Sequence, residues 1–227
     1  MLHKLTGTKM IPLEREYEGW VVRGIQDYFE HRGQKVVIFA FSPLLEKDYP
    51  ADEIMKLPAG YKGFGLQFKR PSSFATDSVR WAVDATQHKS IASGKSIFYA
   101  LPTFANRDVY KEALQHCLFF HPTITSPWLG EPLEIFLDPK GNVTSLRLKQ
   151  SKAAIGGGEE LHGAGFALRW GAFIEIAERC HIGVKGSGFA ADIAAHIARS
   201  KEARSESFQA GAAQPADSTL YLMAFKP

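Results

Sequence analysis

G-F-G-L-Q-F-K-R, residues 63–70, carries the clearest strand pattern in this chain of 227 residues. Large apolar residues alternate with glycine or polar residues, which predicts a strand because successive side chains point to opposite faces. The apolar face carries Phe64, Leu66 and Phe68, and the opposite face carries Gly63, Gly65, Gln67 and Lys69. The glycines leave space for a small group or an ion beside Gln67 and Lys69. Burial of Lys69 without an anion would be costly, so we expect a carboxylate or a phosphate nearby.

Upstream of this strand, the sequence predicts a helix, a buried strand and an acidic, turn-rich segment. Apolar residues recur at helical spacing from Glu16 to His31, and Gly33 is placed as a left-handed C-terminal cap. The apolar, β-rich run 35–41 predicts a buried strand. The turn-rich segment that follows holds the acidic candidates for a partner of Lys69. The nearest are Asp52 and Glu46, with Asp48 and Glu53 behind them.

Downstream, the sequence predicts a second helix, a strand and a third helix. Thr76, Asp77 and Ser78 are typical helix-start residues, so we expect a helix over 79–93 that ends at Gly94. The run 96–101 predicts another buried strand, and Asn106 is placed to cap a helix over 107–120. The order is helix, strand, irregular strand pair, helix, strand, helix. This order predicts a mixed α/β core.

The pattern of the sequence changes after about residue 126. Residues 133–137 and 143–148 flank a turn-rich segment, which predicts a β-hairpin with a five-residue loop. A glycine-rich linker (155–165), helices over 166–179 and 189–199, a loop poor in large apolar residues (203–217) and a final strand (219–225) complete the prediction. We therefore divide the chain into a core, residues 1–125, and a C-terminal α+β extension, residues 126–227.

The tripeptide Gln67-Phe-Lys69, in this order of elements, resembles a motif of the PD-(D/E)xK nuclease superfamily. It is most similar to the Q-x-K variant of Mrr-type restriction endonucleases, whose motif strand also continues into Lys-Arg. The resemblance covers roughly residues 16–105, a little under half of the chain. It implies a restriction-endonuclease-like core (helix, three strands, helix, strand) and cleavage of nucleic acid with Mg²⁺ or Mn²⁺, and DNA is the expected substrate. Restriction or anti-phage defence is the setting that this analogy suggests.

The resemblance also implies roles for individual residues. Asp52 would be the principal metal ligand, and Gln67 would contribute a carbonyl oxygen at the second ligand position. Lys69 would orient the attacking water and stabilise charge on the phosphate. Glu46 would match a more variable upstream acid, and Asp48 is an alternative to Asp52, which lies in a turn-like context. Such oxygen ligands suit a hard cation, and phosphodiester hydrolysis needs one to neutralise developing charge.

Positive charge is concentrated around the motif strand. The formal net charge of the whole chain is +3, whereas residues 60–107 contain seven lysines and arginines against two aspartates. A phosphate-backbone partner favours such a distribution. The candidate nucleic-acid contacts are Arg70, Arg80, Gln87, His88, Lys89 and Arg107. Gln87 would correspond to a polar residue often found on the helix that follows the motif strand.

Other features of the sequence limit the remaining classes of protein. No apolar run approaches the roughly 18–20 residues that span a bilayer, and the N-terminus lacks the apolar segment of a secretory signal. Two cysteines can form at most one disulfide, which cannot by itself stabilise a domain of this size. A cytoplasmic, reducing location is therefore expected.

Two rivals to an active nuclease stay open. The first is a degenerate nuclease fold that binds nucleic acid or a partner protein without cleavage, which the neutral amide of Gln67 favours. The second is an unrelated α/β interaction protein in which Q-x-K is a coincidence. The C-terminal half lies outside the resemblance and is a candidate for recognition of substrate or of a protein partner.

Overall fold

The structure, a computed structural model, describes residues 10–41, 62–83, 88, 97–121, 133–148, 160–162, 167–179, 184–185, 198 and 220–225. In these residues it contains two α-helices, α1 (Glu14–His31) and α2 (Trp170–Glu178), and a 3₁₀ helix (Arg107–Glu112). The strands of the first half are β1 (Val36–Phe41), β2 (Lys62–Phe68), β3 (Pro71–Phe74), β4 (Ser78–Trp81), β5 (Ile97–Pro102) and β6 (Cys117–Phe120). Those of the second half are β7 (Leu133–Leu137), β8 (Val143–Leu148), β9 (Glu160–His162), β10 (Ala167–Arg169), β11 (Val184–Lys185) and β12 (Leu220–Phe225). The predicted α/β class is confirmed.

The strands form two sheets. The first has the order β1-β12-β2-β5-β6-β10, with the short β11 also paired to β2. Within it, β2 and β5 are parallel, and the other pairs are antiparallel. The second sheet has the order β3-β4-β7-β8-β9 and is antiparallel throughout. Each sheet therefore combines strands from both sides of residue 126, while the division of the chain at that residue stays a prediction.

Helix α1 covers one face of the first sheet. Its buried side chains Tyr17, Val21, Ile25 and Phe29 recur every four residues, so they form one apolar stripe. This stripe joins Phe64, Leu66 and Phe68 of β2 in a single core cluster, together with Phe173 and Ile174 of α2. The helix ends at His31, and Gly33 follows with a φ of 65°, the left-handed conformation that glycine adopts readily. The predicted helix, its cap and the apolar face of the motif strand are confirmed.

Two predicted helices were wrong, and a third is confirmed as α2 (Trp170–Glu178) but begins later than expected. The helix expected from residue 79 is a strand at its start, because Val79 and Trp81 pair with Ile135 and Leu133 of β7. The helix expected over 107–120 is a 3₁₀ helix followed by β6, whose four residues are all buried between β5 and β10. The helix expected over 166–179 begins with β10, and part of the expected glycine-rich linker forms β9.

Other predicted elements are confirmed or lie outside the described residues. The strands at 35–41, 96–101 and 219–225 and the hairpin at 133–148 are present, with bounds that differ by one or two residues. Gly141, with φ of 84°, lies in the predicted five-residue hairpin loop. The segment with the acidic candidates, the helix over 189–199 apart from residue 198, and the loop over 203–217 are not among the described residues.

Candidate functional site

Gln67 lies on the central strand of the first sheet. Its Cα partners are Leu220 of β12 and Tyr99 of β5, so it has hydrogen-bonded strands on both sides. Only 2% of Gln67 is exposed, although its side chain is polar. By alternation along β2, it faces away from the core that Phe64, Leu66 and Phe68 form with α1. The amide is therefore held in the interior of the protein, on the sheet face opposite to α1.

Lys69 extends the parallel pairing of β2 and β5 by one residue. Its backbone N–H donates to the carbonyl of Ala100 at 3.2 Å, directly after the last register pair, Phe68 with Ala100. The residue is partly exposed. Lys69 thus stands at the carboxyl end of two adjacent parallel strands. In open α/β sheets, this edge is where ligands commonly bind.

His88 is fully buried and packs against Tyr99, the register partner of Gln67. The His88 and Tyr99 rings are stacked, with centroids 5.9 Å apart and planes 12° from parallel. The Tyr99 hydroxyl lies 3.4 Å from Nδ1 of His88. The fold therefore brings His88 and Gln67 to the same tyrosine, in the interior and not on an open surface.

Arg70 and Arg107 are brought together at the start of α1. The backbone N–H of Arg70 donates to Glu14 Oε2 at 2.8 Å, and its guanidinium donates to the carbonyl of Ile11 at 2.9 Å. Arg107 donates two hydrogen bonds to the Glu16 carboxylate, at 2.8 and 2.9 Å. Arg107 thereby holds the pKa of Glu16 at about 2. Both arginines tie the start of the helix to the rest of the protein.

Arg80 belongs to the second sheet, on β4. Its Nε lies 2.9 Å from Glu134 Oε1, and the same carboxylate oxygen accepts a hydrogen bond from the Ser78 hydroxyl at 2.8 Å. Glu134 is only 3% exposed, so this ion pair is partly withdrawn from solvent. Arg80 is therefore on a different sheet from Gln67 and Lys69.

The remaining site predictions fall outside the described residues: Asp52, Glu46, Asp48, Gln87 and Lys89. Within the part of the chain that the structure describes, no group of three or more His, Cys, Asp or Glu side chains is arranged to hold a metal ion. Gln67 is the member of the predicted ligand set that the structure describes. Its amide oxygen suits a hard cation, and the carboxylates proposed to complete the set all come from the acidic segment before β2.

Sequence reasoning missed Arg169. We expected it inside a helix, whereas it is the last residue of β10 and borders a polar pocket with residues of the β7–β8 turn. Residues from distant parts of the chain surround it, so no local pattern marks it as a binding residue.

Comparison of the chain with protein-family models, with curated proteins and with solved structures gives no match. Among the described residues, no helix is both long enough and apolar enough to cross a membrane.

Proposed function

We propose that this protein is a metal-dependent nuclease that hydrolyses phosphodiester bonds in DNA. The observation that carries the proposal is the position of Gln67-Phe-Lys69. A nearly buried amide lies on a central strand, and a lysine follows two residues later at the carboxyl end of two parallel strands. Elements α1, β1, β2 and β5 also follow the order of four of the six elements of a restriction-endonuclease-like core, with β3 and β4 of the second sheet between β2 and β5.

In the proposed hydrolysis, a small number of side chains have distinct roles. Gln67 offers an amide oxygen, and Asp52 and Glu46 would add carboxylates toward Mg²⁺ or Mn²⁺, which favours oxygen ligands. When bound, such a cation neutralises charge that develops on the phosphate. The Lys69 ammonium adds a second positive charge and hydrogen-bond donors to orient the attacking water. The hydrogen bond from the Lys69 N–H to the carbonyl of Ala100 positions the backbone of Lys69 for that role.

A second candidate is a nuclease fold that binds nucleic acid without cutting it. Two observations favour it. Gln67 replaces a charged ligand by a neutral amide, and both Arg80 and Arg107 are engaged with carboxylates of this chain. In this alternative, Lys69 contributes to affinity for phosphate and the protein has no dependence on divalent cations.

The first experiment is a cleavage assay on plasmid, linear and single-stranded DNA with Mg²⁺ or Mn²⁺. We expect cleavage by the wild type and its loss in Asp52→Ala and Lys69→Ala. Lys35→Ala is the matched control, since it removes an exposed lysine just before β1 and should cut like the wild type. Cleavage that survives in folded Lys69→Ala protein contradicts the proposed role of this lysine.

A second variant separates an active site from a degenerate one. Gln67→Glu places a carboxylate at a site that is 2% exposed, where an unpaired charge is costly. If Asp52 and residue 67 share a cation, Mn²⁺ should raise the melting temperature of Gln67→Glu more than that of the wild type. An equal response of Gln67→Glu and of Gln67→Glu with Asp52→Ala would favour the degenerate alternative.

A further inference from the structure

A polar pocket of about 220 Å³ lies apart from Gln67 and Lys69. Distant segments supply its walls: Thr103 directly after β5, His116 directly before β6, the β7–β8 turn and Arg169 at the end of β10. The turn contributes Lys140, Gly141 and Asn142. The pocket therefore joins the rim of the first sheet to a hairpin of the second.

Arg169 lines this pocket, and its hydrogen bonds to the described residues all go to neutral groups. Its Nη1 donates to the Thr103 hydroxyl at 3.0 Å and to the carbonyl of Gln115 at 3.5 Å. Its Nη2 donates to the carbonyl of Gly141 at 2.5 Å. A guanidinium has five N–H donors, which is more than these contacts with the described residues use.

Within the described residues, no carboxylate compensates the charge of Arg169. Asp138 is directed into its own turn, where its carboxylate accepts three hydrogen bonds of 2.8 Å from Lys140 and Asn142. Glu112 lies 3.4 Å from Nε2 of His116. Burial lowers the pKa of the Arg169 guanidinium, as expected for a cation with reduced solvation. Cations withdrawn from solvent are normally paired with an anion, and among the described residues no anion contacts Arg169.

A second cation also lines the pocket. Lys140 adds an exposed ammonium. Arginine binds phosphate oxygens through paired, charge-assisted hydrogen bonds, which gives geometric specificity as well as affinity.

We propose that this pocket binds a terminal phosphate group, with Arg169 and Lys140 supplying the positive charge. The small volume fits a phosphate with part of its attached group, and the two sources of that chemistry are a free mononucleotide and the 5′ end of a nucleic-acid strand. Arg169 is the residue that contacts the phosphate, and Lys140 strengthens binding from the rim. The proposal stands apart from phosphodiester hydrolysis and does not require it.

The test is a calorimetric titration of the full chain in EDTA, where metal-dependent cleavage does not occur. The probes are inorganic phosphate, AMP, and hexathymidylate with and without a 5′-phosphate. We expect saturable binding of AMP or of the phosphorylated oligonucleotide, and weaker binding of the 5′-hydroxyl form. Tighter binding of AMP identifies a nucleotide as the ligand, and tighter binding of the phosphorylated strand identifies a strand end.

Three variants distinguish a specific phosphate site from nonspecific attraction of anions to a basic protein. Arg169→Gln and Lys140→Ala should each weaken binding, by about tenfold or more for Arg169→Gln because a charge-assisted hydrogen bond is lost. If Arg169→Gln does not fold, Lys140→Ala still tests the proposal. Lys35→Ala, which removes an exposed lysine outside the pocket, should bind like the wild type. Absence of binding to all four probes overturns the proposal, and so does equal weakening by Lys35→Ala and Lys140→Ala.

Discussion

The carboxylate of Glu16 accepts two hydrogen bonds from Arg107 and one from the backbone N–H of Leu13, the last at 2.7 Å. Chiefly through Arg107, these contacts lower the pKa of Glu16 from its ordinary value near 4.5 to about 2. A carboxylate whose pKa is lower in the folded than in the unfolded state stabilises the fold above its unfolded pKa. That stabilisation is lost as the pH falls from about 4.5 to about 2.

We therefore expect Glu16→Gln to be less stable than the wild type at pH 7, with a gap that narrows as the pH falls below about 4.5. The effect should be modest, since this ion pair is largely solvated. Urea unfolding at several pH values measures the difference in free energy of unfolding between the variant and the wild type. For Arg107→Gln this difference should depend on pH in the same way. In a double-mutant cycle, the coupling between the two residues should vanish near pH 2. A coupling that is unchanged across this range would show that the pair does not act through charge.

Gln67 and Lys69 show what sequence can establish at the level of single residues. Alternation along residues 63–70 was enough to separate the apolar face from the polar one, because the period of a strand is local. The depth of Gln67 was not predictable, since it results from β12 on one side and β5 on the other. Whether a side chain is 2% exposed depends on neighbours that local sequence does not specify.

At the level of elements, the packing of α1 gives a matched pair of glycines. A Cβ on Gly24 would lie 2.9 Å from Cβ of Leu114, whereas a Cβ on Gly19 would meet no atom within 4 Å. Alanine is favoured over glycine in a helix interior by about 0.5–1 kcal/mol. Gly19→Ala should therefore raise the free energy of unfolding by about that amount.

Gly24→Ala should instead lower the free energy of unfolding. The close contact involves two Cβ atoms, so backbone must shift to relieve it, and overpacking typically costs about 1–3 kcal/mol. This cost exceeds the gain in helix propensity. Urea unfolding of both variants measures the difference. Equal stabilisation by the two alanines would mean that α1 does not pack against Leu114 at this distance.

Local sequence patterns predicted those elements whose own residues determine their structure. The patterns failed where pairing with a distant segment determines the structure. Tyr17 to Phe29 specify α1 by their own spacing, and residues 133–148 specify a hairpin through their turn. The sequence Thr76-Asp77-Ser78 is also typical of a helix start. In the structure, Thr76 and Asp77 form a bend and Ser78 begins β4, while the N–H of Leu137 donates to the carbonyl of Asp77 at 2.7 Å. That partner belongs to β7, so the strand could not be inferred from residues 76–93 alone.

On the scale of the whole molecule, β12 makes residues 220–225 part of the core. The strand lies between β1 and β2, and Met223 pairs with Ile38 on one side and Phe64 on the other. Met223 is fully buried in the cluster formed with α1. Within the described residues, β1 joins the first sheet only through β12. The sequence predicted this strand but not its position, because register and neighbours of a strand depend on the complete sheet.

We expect Met223→Ala to lower the free energy of unfolding by about 2–5 kcal/mol, the usual cost of truncating a buried methionine. Met223→Leu, which nearly conserves volume, should cost less than about 1.5 kcal/mol. Hydrogen exchange locates the effect. If β12 holds the first sheet together, amides of β1 and β2 should exchange faster in Met223→Ala, because their pairing depends on this strand. Faster exchange confined to residues after 126 would instead mean that residues 1–125 form an independent folding unit, as the division inferred from sequence predicts.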